Sequence, residues 1–319
     1  WRSWPPSAAA SGQLELRLME LGVWRTPPKH IGASFGPLVT AALEPPLFIS
    51  ARELLTEEDA AEIVQRASRK LERAKVEGYE PSSSIAEGDA ARVQTVHASR
   101  TGLVAWLNPV DDGPAVRRLF TLGARLLGAD NLNFLEQLQV LKYGPGELYQ
   151  QHTDFFEYWK YEPQSVARAA ILKRTRKGQA NRVATLLWYL SEPRQGGGGT
   201  NFPHARAASG DALPCGVRWG AEAAGEPADH AECGARGAIV PSRRGHAILF
   251  YSLRANGSLD LQAKHAGCPP LRAGDAPGAK WAANLWFWNT EVSDWPAGLL
   301  DRPDETAAAA LTAPDISPR

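Results

Sequence analysis

The residues that could do chemistry cluster in Leu141–Trp159, LKYGPGELYQQHTDFFEYW, around His152-Thr153-Asp154. On an extended segment side chains alternate, so a His and an Asp two apart point to one side. An imidazole nitrogen and a carboxylate oxygen could then reach one ion. With a second His they would take one face of an octahedral ion and leave positions open, the arrangement that non-haem Fe(II) oxygen chemistry uses. A lone His-x-Asp triplet arises often by chance; its setting is what gives it weight. The run QLQVLKY (Gln137–Tyr143) alternates Leu138 and Val140 with Gln137 and Gln139 and stops at Gly144-Pro145-Gly146. That pattern predicts a strand, a turn, and then the candidate metal segment.

Six further histidines compete for the third ligand position: His30, His97, His204, His230, His246 and His265. Topology favours His265, in KHAGCPP after the polar turn Arg254–Asp260, because a late strand can return beside an early one. Position alone leaves the others open. Further on, Lys280 enters the apolar run WAANLWFW. A buried ammonium needs an anion, since isolated burial of charge is costly; otherwise the lysine would snorkel from the strand end. Beside an iron site, that anion could be the far carboxylate of a dicarboxylic 2-oxo acid whose other end chelates the metal. Tyr143 and Thr185 (in RVATLL) could donate hydroxyls to the same carboxylate.

These residues need elements to hold them. At 319 residues the chain can bury a large core, and its formal net charge of zero gives no electrostatic footprint for nucleic acid. No apolar run approaches the roughly 20 residues of a transmembrane helix. The chain begins at Trp1 rather than Met and is read as a mature fragment, from which a targeting segment would be missing. Three cysteines, Cys215, Cys233 and Cys268, match no zinc pattern; one bridge with a free thiol and three reduced thiols both stand.

Residues 1–44 read as an irregular lead with one short strand or helix, and Pro45–Ser50 as a strand. Thr56, with Asp59 three residues on, predicts a helix start. Ala60, Ile63, Val64, Ala67, Leu71 and Ala74 then form one apolar face, ended by Gly78. Gly78–Ala91 is polar and predicts a loop, Thr95–Leu107 has strand character, and a second helix is expected over Gly113–Gly128. Short β runs follow at Leu135–Tyr143, Arg182–Leu190, GAIVPSRR, Gly245–Leu253 and Trp281–Asn289. Strands broken by Gly and Pro predict an α+β, mainly β chain, with a jelly-roll core that can cup a metal and helices supporting it from the N-terminal side. The basic stretch Lys160–Lys177 reads as a solvated insertion, helical in part, and 296–319 as a loosely held tail. One domain over 45–295 is the simplest organisation.

LQVLKYGPGELYQQHTD, RVATLLWYL with GGGGTNFP, GHAILFYSL, and HAGCPPL with GAKW resemble, in that order, the catalytic domain of prolyl 4-hydroxylases. The likeness covers Pro45 to Asn289. The resemblance implies a double-stranded β-helix that uses Fe(II), 2-oxoglutarate and O2, with L-ascorbate as reductant. It implies hydroxylation of prolyl residues in a peptide or protein, with release of succinate and CO2. It implies His152, Asp154 and His265 as metal ligands and Lys280 as partner of 2-oxoglutarate, helped by Tyr143 and Thr185. Arg100 and Trp286 match positions near the peptide groove, and Gly78–Ala91 falls where a closing loop would be. Cys233 and Cys268 match positions that are often cysteine in plant and algal members, so the resemblance implies a bridge between them, which suits the secretory pathway. Asp154 also disfavours halogenation, which needs that ligand position vacant.

The chain departs from the family at Gly199, where a Glu is usual, at His246 after Gly245, where an Asp is usual, and at Leu285, where a basic residue is usual. Its segment after Asp154 is long and basic. These departures bear on the substrate rather than on the presumed ligands. Other readings are an oxygenase acting on another side chain or a small molecule, a zinc hydrolase on the same three ligands, and a silent jelly-roll binding module. Lys280 weighs against the hydrolase, since metal-activated water needs no buried cation.

Overall fold

The computed structural model describes residues 55–74, 99–127, 131–193, 196–204, 237–253, 259–271, 278–296 and 299, with strand segments at 34–35, 39–42, 48–51, 76–77, 94–95 and 217–218. The predicted β runs become β8 (Leu138–Tyr143), β10 (Arg182–Tyr189), β14 (Ala247–Tyr251) and β16 (Lys280–Trp288). Ahead of them lie β1 (Ser34–Phe35), β2 (Val39–Ala42), β3 (Phe48–Ala51), β4 (Glu72–Arg73) and β7 (Leu103–Leu107). These nine form one antiparallel sheet in the order β1-β2-β3-β14-β10-β16-β8-β7-β4. A second sheet has the order β12-β13-β11-β15-β9, from β12 (Val217–Arg218), β13 (Ala238–Val240), β11 (Thr200–Phe202), β15 (His265–Gly267) and β9 (Tyr149–His152). Its β12–β13 pair is parallel. A separate hairpin pairs β5 (Val76–Glu77) with β6 (Gln94–Thr95), so the expected Thr95–Leu107 strand is in fact two pieces.

Directly opposed residues on neighbouring strands point to the same face. Register therefore sorts the large sheet's side chains. Thr185 lies opposite both Trp286 and Phe250, and Leu187 opposite Asn284 and Ile248. Across β8, Lys280 faces Tyr143 and Asn284 faces Gln139. This face packs toward the second sheet, where Leu187, Tyr189, Ile248, Phe250 and Ala282 join Phe202 and Val240 in one buried cluster. The opposite face, with Ala184, Leu186, Trp188, Ala283 and Leu285, is covered by two helices.

Those helices are α1 (Glu57–Ser68) and α2 (Pro114–Leu127). Thr56 caps α1 by accepting from the Asp59 backbone N–H at 3.1 Å, as the sequence predicts. Asp59 does not complete a capping box; its carboxylate pairs with Arg118 and ties α1 to α2. Ala60, Ile63 and Ala67 are buried as expected, but α1 stops at Ser68, well short of Gly78. Glu72 and Arg73 pair with Val104 and Leu103 instead, so sheet pairing overrides helical periodicity after Lys70. Leu71 and Ala74 still meet apolar clusters, from a different backbone. In α2 the inward face is Val116, Leu119, Phe120 and Ala124; the side chains of Leu126 and Leu127 lie outside the described set. A third helix, α3 (Val166–Arg174), occupies part of the basic stretch. The Gly78–Ala91 loop lies outside the described residues, as do His30, His97 and His230.

Candidate metal centre and the cavity above it

β9 ends on His152, and β15 begins on His265 directly opposite it. Asp154 follows two residues later, and one ligand atom from each of the three lies within 4.8 Å of the others. The Nδ1 atoms of His152 and His265 lie 2.8 Å from the Gln150 carbonyl and 3.0 Å from the Ala263 carbonyl. Each ring donates there, which leaves a bare Nε2 as the electron-pair donor. Those Nε2 atoms stand 3.6 and 3.7 Å from the two Asp154 oxygens, too far for direct hydrogen bonds and open enough to admit an ion between them. Thr185 Oγ1 donates to Asp154 Oδ2 at 2.6 Å and orients the carboxylate.

Electrostatics prepare the same donor set. Burial alone would raise the Asp154 pKa, but His265, His152 and Arg182 outweigh it and hold the carboxyl well below the usual range. Burial, with the His152 charge, pushes His265 down to about 4, so its imidazole is neutral at ordinary pH. A charged carboxylate and neutral imidazoles are the forms that bind metal. The donor set fits a ferrous ion. Tyr149 stacks on His152 with centroids 3.6 Å apart, and the Arg100 guanidinium sits 4.6 Å from the Tyr149 centroid.

Lys280 does not snorkel. It is 2% exposed, and among the described residues its Nζ finds only the Gly199 carbonyl at 3.3 Å and the rings of Tyr143 and Tyr189. Burial pulls its pKa down to about 7. No carboxylate pairs with it among the described residues. The turn that brings Gly199 there runs through Gly196, Gly197 and Gly198, all at positive φ. A Cβ on Gly199 would stand 2.8 Å from the Val240 carbonyl, which explains why no longer side chain occupies that position. Tyr143 is buried opposite Lys280, with its hydroxyl engaged by Arg100.

A cavity of about 400 Å³ opens beside the metal cup, where His152 and Asp154 line it. Arg100, Gln139, Tyr149, Asn284 and Trp286 line it, while Lys280, Tyr143 and Thr185 lie in the core behind its wall. The segment that the sequence reads as a solvated insertion forms another wall, through Phe155, Phe156, Ile171 and Arg174. Glu136 secures that wall. It accepts from Arg174 of α3 at 2.5 Å, from Arg182 twice at 2.9 Å, and from Trp288 Nε1 at 2.9 Å. Arg182 in turn lies 3.5 Å over the Trp286 ring. Cys268 is disulfide-bonded; its expected partner, Cys233, lies outside the described residues.

Sequence reasoning singled out neither Tyr149, Arg182, Glu136 nor Asn284. Asn284 carried a signal: after Lys280 it is the one polar residue in the run WAANLWFW. The other three carried none, because their roles arise from contacts with distant segments.

Residues 138–288 match the 2OG-Fe(II) oxygenase superfamily. That stretch is similar to 2OG-Fe(II) oxygenase domains, and its likeness runs to the prolyl 4-hydroxylases. The chain is 28% identical over 242 residues to the prolyl 4-hydroxylase subunit alpha-1 of Gallus gallus, covering 76% of this chain and 36% of that protein. It is 34% identical over 152 residues to the probable prolyl 4-hydroxylase 3 of Arabidopsis thaliana, covering 48% of this chain and 42% of that protein. The chain thus spans well under half the length of these relatives. Among solved structures, the viral collagen prolyl hydroxylase vCPH of Paramecium Bursaria Chlorella virus-1 is similar at 17% identity and a TM-score of 0.46, over 76% of this chain and 96% of that one. No helix among the described residues is long and apolar enough to cross a membrane.

Proposed function

We propose that this chain is a 2-oxoglutarate- and Fe(II)-dependent dioxygenase that hydroxylates prolyl residues in a peptide or protein. The observation that carries the proposal is the pairing of a three-ligand metal cup with a buried lysine that lacks an anion. In this reading His152, Asp154 and His265 hold the iron, and Lys280 holds the far carboxylate of 2-oxoglutarate. When bound, iron and 2-oxoglutarate supply the activation of O2 that converts substrate to alcohol and 2-oxoglutarate to succinate and CO2. The chain's own residues hold geometry and exclude water. Thr185 keeps Asp154 in place, the two backbone carbonyls keep both imidazoles turned inward, and Tyr143 stands across from Lys280. Arg100 and Trp286 line the cavity where a substrate would enter.

The two facing sheets, with β9 and β15 carrying ligands side by side, support a double-stranded β-helix as the finer description of the fold. One catalytic domain over 45–295, with 1–44 and 296–319 outside it, remains the simplest organisation. L-ascorbate would serve as reductant, as the family resemblance implies. A zinc hydrolase would leave Lys280 buried for no purpose.

The test is incubation with Fe(II), 2-oxoglutarate and proline-containing peptides, following succinate release and one added oxygen on proline by mass spectrometry. His152→Ala and Asp154→Ala should abolish metal binding and turnover together. Succinate release without any hydroxylated peptide would point to another substrate. Tight zinc binding with no 2-oxoglutarate turnover would overturn the proposal.

A further inference from the structure

β16 displays Lys280, Ala282, Asn284, Trp286 and Trp288 on one face, in line along a single strand. Between the lysine and Trp286, Asn284 is 8% exposed, and its Oδ1 has no hydrogen-bond partner. Trp286 Nε1 and Arg100 Nε are also buried without partners. All three residues line the cavity above the metal cup. Buried polar groups in folded proteins are nearly always satisfied, so three orphans on one wall point to a ligand that satisfies them.

Their chemistry restricts that ligand. Trp286 and Arg100 offer N–H groups and call for acceptors, whereas Asn284 Oδ1 calls for a donor. 2-Oxoglutarate carries acceptors only and cannot answer Asn284. A peptide main chain carries both, C=O for the two donors and N–H for the acceptor. A prolyl residue has no N–H, so the donor must come from a neighbouring residue.

We infer that Asn284 is a specificity-determining residue that accepts the main-chain N–H of a non-prolyl residue flanking the target proline. The substrate class is then a peptide in which prolines are interspersed with residues bearing an N–H, not an uninterrupted polyproline run. The inference rests on the hydroxylase reading above.

The test compares a Pro-containing peptide with a set in which each flanking residue in turn is N-methylated. Wild-type enzyme and Asn284→Leu are assayed for the KM of peptide and of 2-oxoglutarate, and peptide binding is measured by calorimetry. At one flanking position, methylation should weaken wild-type binding and raise KM about tenfold, the loss of roughly one hydrogen bond. Asn284→Leu should bind the plain peptide about tenfold more weakly, show no further penalty from methylation, and keep its KM for 2-oxoglutarate. The methylation scan on wild-type enzyme decides even if the variant folds poorly. Peptides hydroxylated with no penalty at any position, an equal penalty in both enzymes, or a rise in the 2-oxoglutarate KM alone would overturn this inference while leaving the hydroxylase reading intact. If no Pro-containing peptide binds or is hydroxylated, both fall.

Discussion

In the proposed function Lys280 and Thr185 each act through a single atom, and each gives a separable expectation. Burial carries the Lys280 pKa from its ordinary 10.5 to about 7. A dicarboxylate needs the charged form, so 2-oxoglutarate affinity should fall by about tenfold per pH unit above about 7, until the pKa of the complex is reached. The same shift fixes the sign for stability without ligand. Between about 7 and 10.5 the unfolded chain binds a proton that the folded chain does not, so apo stability should rise with pH across that window. Denaturant titration at several pH values checks this, and a flat profile would contradict the burial of an uncompensated ammonium. Thr185 is fully buried, and its hydroxyl donates to Asp154. Thr185→Val keeps the shape and deletes the donor. Metal affinity should drop on the order of 10–100-fold, with the KM for 2-oxoglutarate following only through the metal. Competition against a fluorescent chelator measures it.

At the scale of elements, Glu136 joins pieces that are far apart in the chain: the lead into β8, the basic helix α3, the start of β10 and the end of β16. Burial would raise its pKa, yet the charge and hydrogen bond of Arg182, the charge of Arg174 and the bond from Trp288 hold it below the ordinary carboxyl value. The stabilisation is therefore present above the unfolded pKa and is lost as pH falls through the folded one. Glu136→Ala should cost roughly 3 kcal/mol, since it removes the buried carboxylate that Arg174, Arg182 and Trp288 share, and should loosen Arg182 over Trp286. Glu136→Gln should cost less, because it keeps the shape and some hydrogen bonds. Equal midpoints for both variants and wild type in urea would show the network to be ornamental.

On the scale of the whole molecule, the two sheets meet at a centre that gathers ligand groups, a carboxylate and two imidazoles on one side and the buried Lys280 amine on the other. Ligands that bind only the folded state raise its stability, by about 2.7 kcal/mol at a hundredfold excess over Kd. Metal and 2-oxoglutarate together should raise the thermal midpoint by more than metal alone, and a chelator should reverse both increments. Lys280→Met removes the buried charge while preserving bulk. Its apo midpoint should rise, and the increment from 2-oxoglutarate should vanish. An unchanged increment would place the cosubstrate elsewhere.

Much of this was legible in the chain because it depends on local pattern. Short β runs punctuated by Gly and Pro marked β8, β10, β14 and β16 to within a few residues, and period-two alternation placed His152 and Asp154 on one side. Lys280, entering an apolar run, was conspicuous before any fold was known. What the sequence could not carry is register between segments a hundred residues apart. Only the pairing of β9 with β15 selects His265 as the partner of His152, and only sheet pairing at Glu72 ends α1 early. Local periodicity is written into neighbouring residues, whereas strand partnership is decided by non-local hydrogen bonds and by which faces can be buried together.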